Sequence, residues 1–246
     1  MEPTSNCSSA SGGALFAGAA AVMQLIESET LILYHTDLRG QWPEGPAQAF
    51  AARLPYARRL ALRASRASDH ASLAGLALAL RALGQLLGRV VGAAEIVFAH
   101  GQKPRLACAS ALTGASAPRA VRAVRAAPAA AAGACPDFSI SHSGHWVGCA
   151  AMARARVGFD VELGTDARRT QWVVREAALK ATGEGLRALP EARQLRALAG
   201  RLRWRGELWH VRQLELFAGA PACVVSSRPV RELDTRAIAL EELFAR

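Results

Sequence analysis

Lysine is nearly absent from this chain. Of its 30 basic residues only Lys103 and Lys180 are Lys, and the rest are Arg. With 20 acidic residues the net charge is +10, which attracts phosphates of any origin. It does not by itself indicate nucleic acid. The arginines are spread along the whole chain, as they are in products of GC-rich genomes, and no recognition module or aromatic-studded basic stripe accompanies them. Nucleic acid is therefore not an expected partner.

Other absences narrow the reading further. The five cysteines contain no C-x-x-C pair and make no even-numbered disulfide framework, so reduced thiols are expected. A zinc site from Cys135, His142, His145 and Cys149 matches no common ligand spacing. The apolar stretch GGALFAGAAAVMQLI near the N-terminus is preceded by Glu2 and by no Lys or Arg, so the positive region of a signal peptide is missing. LAGLALALRALGQLLG is interrupted by Arg81 and reads as a core helix rather than a membrane span. The expectation is a cytoplasmic protein without a membrane partner.

What is present is globular in composition: 246 residues, 51% hydrophobic. Residues 1–28 read as a tail outside the fold. LILYH (31–35) and EIVFA (95–99) read as strands, with helices over residues 46–68 and 72–87 between them. Residues 107–136 form an Ala-rich insertion. FSIS, WVGCAAMA and VGFDVEL then give three strands joined by tight turns. Residues 171–182 predict a helix stopped by Gly183, and further strands follow at 202–204, 208–216 and 222–227. Strands and helices mix without regular βαβ alternation, so the fold class is α+β.

Four local features carry chemistry. Asp160 and Glu162 lie two apart on a strand, so their carboxylates leave one face while Phe159, Val161 and Leu163 face a core. Paired carboxylates at that spacing suit Mg2+, which completes its octahedron with water and substrate phosphate. On the following helix Trp172, Glu176 and Lys180 form a stripe at i, i+4 and i+8. His142 enters a Ser/Gly turn whose backbone N–H groups suit an anion. GQKP (101–104) holds the other lysine. Taken singly, each is an ordinary surface feature.

In this order, GQKP (101–104), FSISHSGHWV (138–147), VGFDVE (157–162) and WVVREAALKATGEGL (172–186) resemble the signatures of the 4′-phosphopantetheinyl transferases, in particular the longer Sfp-like, pseudo-dimeric type. A weaker echo covers residues 54–75. The resemblance implies two similar α+β halves related by a pseudo-two-fold axis, with the active site between them. The expected boundaries are 29–156 for the N-terminal half and 157–246 for the C-terminal half. It implies Mg2+-dependent transfer of 4′-phosphopantetheine from coenzyme A to a serine of an apo carrier protein, releasing adenosine 3′,5′-bisphosphate. Asp160, Glu162 and Glu176 would be the metal ligands, and Glu176 and Lys180 the catalytic groups. Lys103, Ser141, His142 and Lys180 would hold coenzyme A. Partners would be coenzyme A and the carrier, acting on a monomer.

Two departures from the family pattern stand out. The Ala-rich insertion separates GQKP from FSIS, and only residues 163–171 separate Glu162 from Trp172. Arg168 and Arg169 fall in that short spacer, where an acidic carrier would dock. The alternatives are a non-catalytic homologue that binds coenzyme A or a carrier, and a nucleic-acid-binding protein supported by charge alone.

Overall fold

Alternation of side chains sorts the first strand, β1 (Thr30–Asp37), between two cores: Leu31 and Leu33 enter one, Ile32 and Tyr34 the other. A strand buried on both faces must lie inside a layered fold, and the computed structural model, which describes residues 30–62, 67–99, 102–107 and 135–245, shows the layers. One sheet has the order β10-β1-β5-β4, with β4 at Asp137–Ser143, β5 at Trp146–Met152 and β10 at Glu232–Ala237. β10 is parallel to β1, and the other pairs are antiparallel. The second sheet runs β6-β9-β8-β7 and is antiparallel throughout, with β6 at Val157–Val161, β7 at Arg201–Trp204, β8 at Glu207–Leu214 and β9 at Ala222–Ser226. A short ladder joins β2 (Ile96–Val97) to β3 (Arg105–Leu106).

Helices cover the outer faces. The first core packs helix α3 (Ala67–Leu87) onto the first sheet. The second core lies between the sheets, where Leu31, Leu33 and Met152 meet Val157, Phe159, Val161 and Val224. The third packs α4 (Ala167–Thr182) onto the outer face of the second sheet, against Cys223 and Val225. The class is α+β, as expected.

Local chemistry moves several boundaries. The helix expected over 46–68 becomes α1 (Glu44–Ala52) and α2 (Tyr56–Ala61), because Pro55 forces the chain out of the helical region before α2. The strand expected at 95–99 keeps only Ile96–Val97, since a 3-10 turn takes Ala93–Glu95. α3 is longer than expected and is stopped by Gly88 in the left-handed region. Its segment Asp69–Leu87 is long and apolar enough to cross a membrane, but 67% of it is buried inside the protein, as a core helix would be.

Three further expectations need correction. α4 starts at Ala167, four residues before the expected 171, because the Asp166 side chain caps it by accepting from the Arg169 N–H at 3.0 Å. The spacer after Glu162 is therefore four residues of loop, and Arg168 and Arg169 belong to a helical turn. After α4 come a 3-10 turn (Gly185–Ala188) and two one-turn helices, α5 (Leu189–Ala192) and α6 (Leu240–Leu243). The division at residue 156 is not clean either: β10 and α6 return from the C-terminal half to the first sheet and its core. Cys135 is disulfide-bonded rather than a free thiol, whereas Cys149 and Cys223 are free and buried. The expected tail (1–28) and all but the edges of the Ala-rich insertion lie outside the described residues.

Gly158 shows how tightly β6 meets α4. A Cβ there would sit 1.9 Å from the Ala177 carbonyl oxygen and 2.4 Å from the Ala181 nitrogen, both backbone atoms that no rotamer change can move. Gly158→Ala is expected to cost roughly 3 kcal/mol or more, measured by denaturant unfolding, because strand and helix must separate to admit the methyl group.

Candidate active site

β6 alternates so that Phe159 and Val161 enter the inter-sheet core while Gly158 and Asp160 face α4. Asp160 is 1% exposed, an unusual place for a carboxylate. Its Oδ1 accepts from the Lys180 Nζ at 2.7 Å and from the Ser141 Oγ–H at 2.7 Å. The same Nζ donates to Ser141 Oγ at 2.9 Å and lies 3.2 Å from Glu176 Oε1. Glu176 and Lys180 are one turn apart on α4, whose Val173, Ala177 and Ala181 are buried in the third core. Packing of that apolar face aims the charged stripe at β6.

Glu162 joins from just beyond the end of β6. Ser143 donates from Oγ to Glu162 Oε2 at 2.9 Å and accepts from the Leu163 N–H at 3.0 Å, which fixes both the side chain and the loop that leaves the strand. Leu163 is 38% exposed and does not share the core of Phe159 and Val161. One ligand oxygen from each of Asp160, Glu162 and Glu176 falls within 4.8 Å of the other two, the one such group among the described residues. The Asp160 Oδ2 atom is buried with no hydrogen-bond partner. An orphaned, buried carboxylate oxygen beside two more carboxylates fits a hard divalent cation, which needs oxygen ligands and supplies the missing partner.

The cluster sits on the seam between the two sheets. β4 and β6 are neighbouring edge strands that share no backbone ladder, and side chains close the gap. Ser141 to Asp160 and Ser143 to Glu162 stitch one end. At the other end Asp137 Oδ2 accepts from the Val157 N–H at 2.8 Å and from Lys103 Nζ at 2.6 Å, while Lys103 also donates to the Val157 carbonyl at 2.5 Å.

Lys103 is therefore not with the other candidates. Its buried ammonium bonds to Asp137 and to the Val157 carbonyl and so ties β4 to β6, a place apart from the phosphate-binding role expected of it. His142 lies at the margin of the cluster, exposed on β4 within electrostatic reach of Lys180, Glu162 and Glu176. Loss of hydration around its ring, and then the Lys180 ammonium, hold its pKa below the ordinary value, so the ring is neutral at pH 7. It also belongs to the strand rather than the turn, pairing with Val147 of β5.

Ser143 and Asp137 were not among the expected site residues. The alternation of β4 could have found Ser143, which stands two residues from Ser141 on the same face. Nothing local marks Asp137. The chain matches no protein-family model and no curated protein.

Two outcomes follow from this geometry. Lys103→Ala is expected to lower stability by roughly 2 kcal/mol, because Asp137 keeps only its Val157 N–H partner, while any divalent-cation binding at the carboxylate cluster is unaffected. Unfolding free energy and ligand affinity, measured separately, distinguish this from a ligand contact.

Asp160 carries a pH dependence. Burial pushes its carboxyl from 3.8 up to about 6, against the pull of Lys180. The group then binds a proton more readily folded than unfolded. Its contribution to stability therefore rises as pH falls from about 6 toward 4 and is flat above that window. Without divalent cation, unfolding free energy should show this rise, by up to roughly 3 kcal/mol relative to Asp160→Asn, which has no charge to lose.

Proposed function

We propose that this protein is a Mg2+-dependent 4′-phosphopantetheinyl transferase of the pseudo-dimeric type, moving 4′-phosphopantetheine from coenzyme A to a serine of an apo carrier protein. One observation carries the reading: three carboxylates, a lysine and a serine from separate segments converge around the buried Asp160, one of whose oxygens has no hydrogen-bond partner. They are the residues that the sequence motifs single out. Further support comes from architecture. Each sheet bears one long helix on its outer face, as two related halves would, and the cluster lies on the seam between the sheets.

Asp160, Glu162 and Glu176 would hold the Mg2+, which when bound neutralises charge on the diphosphate of coenzyme A. Catalysis then needs positioning and proton transfer rather than a nucleophile of the enzyme's own. Glu176 accepts the proton of the carrier serine as that oxygen bonds to the phosphorus bearing pantetheine. The bond from this phosphorus to the bridging oxygen breaks, and adenosine 3′,5′-bisphosphate leaves with the electron pair. Lys180 stabilises the departing phosphate. Its donors are already engaged by Ser141, Asp160 and Glu176, so contact with phosphate exchanges one of them, and the longest, 3.2 Å to Glu176, gives way first. A planar guanidinium cannot serve these converging partners in the same space, which accounts for a lysine in an arginine-rich chain.

His142 and Ser141 border the cluster and would meet the phosphates of coenzyme A, His142 as a neutral donor until an anion raises its pKa. The carrier would approach the first turn of α4. There Arg169 is bound to Asp166 and the Leu163 carbonyl, while the exposed Arg168 makes no ion pair among the described residues and would meet an acidic partner.

Incubation with coenzyme A, Mg2+ and an apo carrier, followed by weighing the carrier, tests the reading directly. A mass gain of one phosphopantetheine supports it, and no gain with any of several acyl, polyketide and peptidyl carriers overturns it. Asp160→Asn and Glu176→Gln should each lower turnover by roughly 10²-fold or more while leaving a cooperative unfolding transition. Near-normal turnover of either variant at saturating Mg2+ contradicts the assigned roles.

A further inference from the structure

A second site lies on the opposite side of the first sheet. An open cavity of about 980 Å3 runs between α1, α3, the end of β10 and the C-terminal turn, and it shares no residue with the carboxylate cluster. Its size is at the top of the range for small-molecule sites. Small side chains line it, Ala49 on α1 and Ala77 and Gly84 on α3. Phe50, Leu80, Ile238 and Phe244 supply apolar walls.

The charged lining is of one sign. Arg53, Arg81, Arg89 and Arg236 border the cavity, and no Asp or Glu does. Two of them have carboxylate partners behind the lining: Arg89 pairs with Glu95 at 2.6 Å, and Arg236 lies 3.5 Å from Asp234. Among the described residues the other two do not. Arg81 gives N–H groups to the carbonyls of Glu242, Leu243 and Ala245, which hold the C-terminal turn, and no described carboxylate balances its charge. Arg53, exposed at the end of α1, makes no ion pair among the described residues. An apolar hollow bordered by two uncompensated guanidinium groups is complementary to one kind of occupant, an apolar chain ending in an anion.

We propose that this cavity binds a long-chain fatty carboxylate, its chain against Phe50, Leu80 and Phe244 and its head group on Arg53 and Arg81. A carboxylate suits the fork of a guanidinium, and the apolar chain accounts for a hollow that water alone would occupy poorly. This inference is independent of transferase chemistry.

Calorimetric titration of the full chain with dodecanoate and with dodecanol tests it. Dodecanoate should bind with a dissociation constant of order 10 μM, and dodecanol about tenfold more weakly, since it lacks the charge. Arg53→Ala, at an exposed position with no ion pair to lose, should weaken dodecanoate about tenfold and leave dodecanol unchanged. Ala49→Trp, also at an exposed position, should abolish binding of both by filling the cavity. No binding of dodecanoate at about 1 mM, or affinity unchanged in both variants, overturns the proposal. Equal binding of dodecanoate and dodecanol overturns the role of the arginines and with it the carboxylate class.

Discussion

The whole arrangement depends on one buried ion pair. Asp160 sits 1% exposed on an edge strand, and Lys180 reaches it from a helix on the outside of the sheet. Burying two charges costs free energy that their attraction recovers only if every other polar atom is also satisfied. Here that condition is met on one side and not on the other. Asp160 Oδ1 has two donors, but Oδ2 has none. Burial outweighs the neighbouring ammonium and lifts the carboxyl to about 6. A structure selected for stability alone would place an apolar residue there. The imbalance is what a site for a divalent cation requires, because a carboxylate fully satisfied by the protein has nothing left to give a metal.

That pair could not form without the seam. β4 and β6 belong to different sheets, and only side chains hold them in register: Asp137 and Lys103 at one end, Ser141 and Ser143 at the other. Between these stitches Gly158 lets α4 approach β6 so closely that no Cβ fits, and this approach brings Glu176 and Lys180 over Asp160. The two lysines thus do related work at the two ends of one seam. Each is a compact ammonium with several oxygen partners converging from different directions, a geometry a planar guanidinium cannot fill. The chain's general substitution of Arg for Lys stops where shape, and not charge alone, is needed.

What the sequence made legible was local. The i, i+2 spacing of Asp160 and Glu162 and the i, i+4 spacing of Glu176 and Lys180 follow from strand and helix periods, and the structure brings all four together. The stop of α4 at Gly183 was legible for another reason, the ease with which glycine takes the left-handed cap conformation. Long-range partnerships were not. Lys103 pairs with Asp137 across 34 positions, and no periodicity connects them, so its burial in an ion pair could not be read from GQKP. The return of β10 to the first sheet pairs Thr30 with Glu232, which a reading in two consecutive halves excludes. The early start of α4 was legible in principle from Asp166 as a cap. It is obscured by the polar run at 168–171, since the residues that the helix buries begin only at Val173.

The crossing of β10 also bears on how the two ends of the molecule relate. β1 is hydrogen-bonded on one side to β10 and on the other to β5, and β5 is bonded to β4, the strand that carries Ser141 and Ser143. The same β10 and the turn after it line the arginine-bordered cavity, and Arg81 of α3 fastens that turn. One sheet therefore links the cavity wall to the seam through three consecutive ladders. β10 is largely exposed, so this path runs through ladder hydrogen bonds rather than through a packed core. Physical continuity is not coupling, which requires an element with two arrangements whose balance both sites shift. The seam is the place where such an element can exist, because side chains alone join β4 to β6 and a small relative shift of the sheets changes the distance from Ser141 to Asp160 before it breaks any backbone ladder.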